Sequence, residues 1–175
     1  MIRLVVCAFS LLFATSAMAQ SVGEKTGINA AAGITPTTQD FVTEAAQSDM
    51  FEIQSSKMTL NSADAPTKAF AQKMIDDHTK TTNELKGAVD KGGAHVTLPT
   101  DMSSSQQSMI AKLNDLRGPD FDKQYHSDQV SAHKDAVSLF QRYGKGGDDP
   151  GLKSWAANTA PALEQHLEMA QNLNK

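Results

Sequence analysis

Apolar residues recur along this chain at intervals of three and four, and nowhere do they alternate over a useful length. The pattern predicts helices and no sheet. Phe41, Ala45, Ser48, Glu52, Ser55 and Thr59 fall on one face of a first helix, with Val42, Ala46, Ile53 and Leu60 beside them. Thr37 or Thr38 is placed to cap it. In the turn that follows, Asp64 suits an N-cap and Pro66 is tolerated in a first helical turn. A second helix is expected over about 67–91, with Phe70, Met74, His78, Thr81 and Leu85 on its stripe and Gly92-Gly93 as its stop. Residues 92–118 form a long connection that holds a shorter helical pattern, Met109, Ile110, Leu113 and Leu116, with Ser103 to Ser105 as candidate caps. A third helix begins near Pro119 and Asp120. It carries His126, Val130, His133, Val137 and Phe140, with Phe121 and Tyr125 alongside. After the turn at Gly144 to Pro150, a fourth helix aligns Leu152, Ala156, Thr159, Leu163, His166, Ala170 and Leu173. Pro161 lies inside that helix and is expected to kink it.

Four long helices in two hairpins, joined by a long crossover that contains a short helix, read as an all-α chain. The connectivity is that of a ferritin-like antiparallel four-helix bundle. The expected organisation is a signal peptide at 1–19, a disordered leader at 20–37 and the bundle domain at 38–174. The leader reading rests on small and polar residues, with Gly23, Gly27, Gly33 and Pro36 among them.

The first residues fit a secretory signal. Arg3 precedes an apolar run from Leu4 to Phe13, and Ala17-Met18-Ala19 supplies a small-x-small cleavage site before Gln20. The run is too short for a membrane anchor, so no integral membrane segment is expected after processing. The product is expected to be periplasmic or secreted. Cleavage removes Cys7, the only cysteine, which excludes a disulfide framework and thiolate chemistry. The formal net charge of −4 becomes −5 once Arg3 is removed, an unsuitable balance for nucleic acid or an anionic membrane surface. A homodimer through a spare apolar face remains open.

Three of the five histidines, His78, His133 and His166, interrupt apolar stripes on three different helices, and Glu52 does the same on the first. Their heights can be compared. Glu52 and His78 are symmetric about residue 65, and His133 and His166 about the boundary between 149 and 150. At about 1.5 Å per residue, each pair lies roughly 20–25 Å from its turn, near the middle of helices about 38 Å long. One carboxylate and three imidazoles at one depth suit a single divalent transition metal, Zn, Fe, Mn or Cu. The same residues also suit a metal-free hydrogen-bonded network that fixes helix register. His126 reads as a partly exposed histidine, with an orienting role as the alternative, and His95 as exposed. Asp49 and Asp77 read as solvated surface groups, with orientation of imidazoles as the alternative. The methionines are scattered like core filler. No catalytic nucleophile–base pair, phosphate loop or dinucleotide fingerprint is present.

The chain resembles a family of exported bacterial proteins known as domain of unknown function 4142, placed among the ferritin-like bundles. The likeness spans roughly Asp40 to Asn172. It is carried by Phe41-Val42-Thr43-Glu44-Ala45-Ala46 with Glu52, and by Phe70-Ala71-Gln72-Lys73-Met74 with Asp77-His78. Phe121-Asp122, Tyr125 and His133, then Pro161-Ala162-Leu163 and His166-Leu167, complete it. The resemblance implies a fold and a periplasmic setting and no particular activity. Di-iron members of the wider fold carry Glu-x-x-His pairs, whereas Ile75 and Leu163 stand three residues before His78 and His166. That departure argues against iron storage and oxygen activation.

The expectation is therefore an exported metal-binding bundle protein, for metal buffering or stress protection, with no catalytic residues assigned. Two alternatives stand beside it: a structural or interaction module with a metal-free register network, and a metal-dependent enzyme with an open coordination position.

Overall fold

The computed structural model describes residues 21–60, 64–92 and 95–173. The expected signal segment and its cleavage site lie outside the described residues, as do residues 61–63 of the first turn, Gly93, and the last residue of the expected domain. The described chain is all-α, a helical bundle with seven helices and no strand. Two short turns, α1 (Val22–Lys25) and α2 (Ile28–Ala31), precede four long helices and one of middle length. These are α3 (Thr38–Thr59), α4 (Ala65–Gly92), α5 (Ser104–Asp115), α6 (Gly118–Gly146) and α7 (Pro150–Asn172).

Local chemistry sets the boundaries. The Thr37 hydroxyl accepts from the Asp40 amide and starts α3. Ser103 and Gln106 form a reciprocal capping box on α5. Asp149 accepts from the Leu152 amide at 2.8 Å, and Pro150 occupies the first turn of α7, where a missing N–H costs nothing. That helix runs through Pro161 to Asn172 without a break. Gly118 enters α6 with φ 56°, a left-handed backbone that glycine adopts without a Cβ penalty.

The long helices pack in a ring: α3 on α4, α4 on α7, α7 on α6, and α6 back on α3. Their interior is layered. One apolar cluster gathers Phe41, Val42, Leu85, Leu139, Phe140, Tyr143, Leu152 and Leu163. Phe41 stacks on Tyr143 with centroids 4.0 Å apart and meets the Phe140 edge at 5.2 Å. A second cluster holds Phe70, Ala71, Met74, Leu113, Tyr125 and Ala170. Glu52, His78, His133 and His166 belong to neither cluster, and along α4, α6 and α7 each histidine falls between residues of one cluster and residues of the other. Beyond Glu52, α3 buries hydroxyls, Ser55, Ser56 and Thr59, and Ser56 meets the Tyr125 hydroxyl at 2.9 Å.

The segment expected to be a disordered leader is helical at Val22–Lys25 and Ile28–Ala31. A buried ion pair explains the difference. Arg142 on α6 donates to both Glu24 carboxylate oxygens, at 2.9 and 3.1 Å, and to the Ile34 carbonyl at 2.6 Å. Composition alone does not show a partner 118 positions away. The Ser21 backbone amide donates a hydrogen bond to Asp40 Oδ1 at 2.8 Å. Among the described residues no helix is long and apolar enough to cross a membrane.

Candidate metal centre

His78 on α4, His133 on α6 and His166 on α7 occupy buried stripe positions, 1–3 % exposed. Their ring centroids are 5.5–5.6 Å apart. One ring nitrogen from each lies within 4.8 Å of the other two.

Each imidazole is anchored by its other nitrogen. His78 Nδ1 meets Asp49 Oδ1 at 2.8 Å, and Asp49 also accepts from the Thr81 and Thr82 hydroxyls at 2.9 and 3.1 Å. His133 Nδ1 donates to the Gln129 carbonyl one turn earlier, at 2.9 Å. His166 Nε2 meets Asp77 Oδ2 at 2.8 Å, and Lys73 holds that same oxygen at 2.8 Å. A carbonyl or carboxylate oxygen only accepts, so each anchored nitrogen carries the proton. In a neutral ring the opposite nitrogen then keeps its lone pair. Those opposite nitrogens, His78 Nε2, His133 Nε2 and His166 Nδ1, are buried without a hydrogen-bond partner. Oriented imidazoles with free lone pairs are the donor set of a metal site, and carboxylate or carbonyl anchoring is how such ligands are held.

Glu52, the fourth expected ligand, is 1 % exposed and stands beside the histidine group without joining it. Its Oε1 is 3.7 Å from His133 Nδ1, and neither carboxylate oxygen has a hydrogen-bond partner.

Burial dominates the electrostatics. It raises the Glu52 carboxyl to about 7, against the lowering pull of His78 and the Gln129 side chain. Burial, followed by the His78 charge, pushes His133 down to about 4; the same two causes push His166 to about 4, with the Asp77 bond opposing them. His78 goes the other way. Burial pulls it down most, but the Asp49 hydrogen bond with the Glu52 and Asp49 charges together lift it. At neutral pH His133 and His166 are therefore neutral and ready to ligate, while His78 gives up a proton less readily than a free imidazole.

Asp49 and Asp77 correct the surface reading. Asp49 is 5 % exposed, and both carboxylates orient imidazoles. His126 is buried, contrary to expectation, with Nε2 2.8 Å from the Thr67 hydroxyl and no place in the cluster. His95 is exposed, as expected.

The chain matches no curated protein and no solved structure. A family of unknown function matches nearly all of the described chain, from the first short helix to the end of α7. The chain belongs to the family described as domain of unknown function (DUF4142), which it matches over residues 23–173.

Proposed function

We propose that this protein binds one divalent transition metal ion through His78, His133 and His166, with Glu52 as the buried acid of the same site. The observation that carries the reading is the set of three anchored imidazoles that bring one ring nitrogen each within 4.8 Å of the others, with the nitrogens opposite the anchors buried and unpartnered. Leaving three such nitrogens and a carboxylate without partners is costly in an apolar interior, and an ion offsets that cost. The three nitrogens suit Zn, Cu, Fe or Mn without selecting among them. We also propose a ferritin-like arrangement of the four long helices, export directed by residues 1–19 with cleavage near Ala19–Gln20, and a role in metal buffering or stress protection.

A metal-free register network is the second reading. It is favoured by the Asp49–His78 hydrogen bond, which is complete with or without metal. Replacing His78 and His166 by Leu together with Glu52→Gln separates the two. Under the metal reading, uptake of Zn2+ or Co2+ disappears from a protein that had it. Under the register reading the parent chain takes up none, and the triple variant folds as well or better.

A further inference from the structure

We infer that the metal keeps one coordination position open to a small protic ligand, water in the absence of another, and that Glu52 accepts a hydrogen bond from that ligand instead of binding the ion. This rests on the metal reading above.

The three histidines form a group by themselves. Zn–N bonds of about 2.0–2.1 Å place tetrahedral ligand atoms roughly 3.3 Å apart, so nitrogens that lie within 4.8 Å of one another would draw in to share one ion. Glu52 is differently placed. Its Oε1 approaches His133 at Nδ1, the nitrogen already given to the Gln129 carbonyl, and not at the unpartnered Nε2. A three-histidine set with a fourth position left free is the pattern of zinc sites that receive an exogenous ligand.

Two buried acceptors then await a donor. Neither Glu52 oxygen makes a close hydrogen bond, although the Gln129 side chain is near enough to pull its carboxyl down, and Gln129 Oε1 has no partner. Gln129 uses its NH2 group on Ser55 Oγ at 3.3 Å, so its oxygen stays available. A metal ion satisfies lone pairs on nitrogen. It leaves these two oxygen groups as they are unless the ligand on the ion carries protons. An O–H donor at the fourth position supplies them.

A cleft of about 590 Å³ lies between α3, α5 and α6, and Phe51 and Ala132 in its wall are chain neighbours of Glu52 and His133, which are themselves buried.

The test is Cu2+ loading of the full chain with Glu52→Ala, the isosteric Glu52→Gln as a second variant, and His133→Ala as the ligand control. Electron spin-echo modulation in D2O reads exchangeable protons on the ion. The expected result is a loss of affinity of no more than about 10–100-fold in either Glu52 variant, against a larger loss for His133→Ala. The unmodified protein should show exchangeable deuterons at ligand distance. Weakening by either Glu52 variant as severe as that of His133→Ala, or the absence of exchangeable deuterons, would overturn the inference and leave three-histidine binding standing. No Cu2+ uptake by the unmodified chain would overturn both.

Discussion

The two halves of α3 follow different rules. From Phe41 to Ala46 it buries aromatic and aliphatic groups against Phe140, Tyr143 and Leu152, and the contacts are satisfied by shape alone. From Asp49 to Thr59 it buries mostly acids and hydroxyls, with Phe51 the apolar exception. The second buries Asp49, Glu52, Ser55, Ser56 and Thr59, and polar groups at such depth are costly unless each finds a partner. Most do; among the buried side-chain atoms without a partner are those of Glu52, Gln129 and the three imidazoles, beside Asp128 Oδ2 and Arg142 Nε elsewhere. Six of the eight among the described residues therefore belong to the histidine layer. The difference separates the part of the molecule that folds it from the part that binds.

That contrast can be broken from either side. Phe41→Ala should have the largest effect, costing about 3–5 kcal/mol in denaturant unfolding while metal stoichiometry of the folded fraction is unchanged. Loss of metal with that variant would mean the two layers are not separable. His133→Ala should do the reverse. Metal affinity should fall by more than about 100-fold, with a much smaller loss in metal-free stability, both read by titration and urea unfolding. Asp49→Asn comes next, with an expected 10–100-fold loss of affinity from misorienting His78. Asp77→Asn should fall at the lower end, since Asp77 is 36 % exposed and shared with Lys73.

A separate effect is a pH dependence of the metal-free protein. The Glu52 carboxyl, near 4.5 when unfolded, is raised to about 7 in the fold, so the folded state holds its proton more tightly. Its contribution to stability is full below pH 4.5 and is lost as pH rises through 7. His133 and His166, pushed down to about 4, act oppositely, and their share is lost as pH falls from 6.5 toward 4. Glu52→Gln should flatten the alkaline side of a melting-temperature profile and leave the acid side in place. An unchanged alkaline side would show that Glu52 is not the group responsible.

Much of this was legible in the stripes. Helical spacing identified His78, His133 and His166 as inward, and the symmetry of each hairpin about its turn set them at one height. The same reasoning put Glu52 at that height, yet height does not determine which edge of a neighbouring ring a carboxylate meets. Asp49 and Asp77 were harder because they flank the stripes, where an acid is ordinarily solvated. The available signal was that each can reach a histidine of another helix, from α3 to His78 and from α4 to His166. The segment at 20–37 stands apart for a different reason. Its composition is that of a disordered segment, and its order comes from Glu24 meeting Arg142, a pairing with no local trace.

The most direct test is the metal content of the full chain, expressed without a histidine tag, stripped by chelator and dialysed against equimolar Zn2+ or Co2+. The account predicts close to one ion per chain, lost in His78→Ala, His133→Ala and His166→Ala alike, with a Co2+ spectrum of nitrogen-rich four-coordination. A folded chain that takes up no ion, or one whose uptake survives all three substitutions, would contradict it and return the imidazoles to a purely structural role.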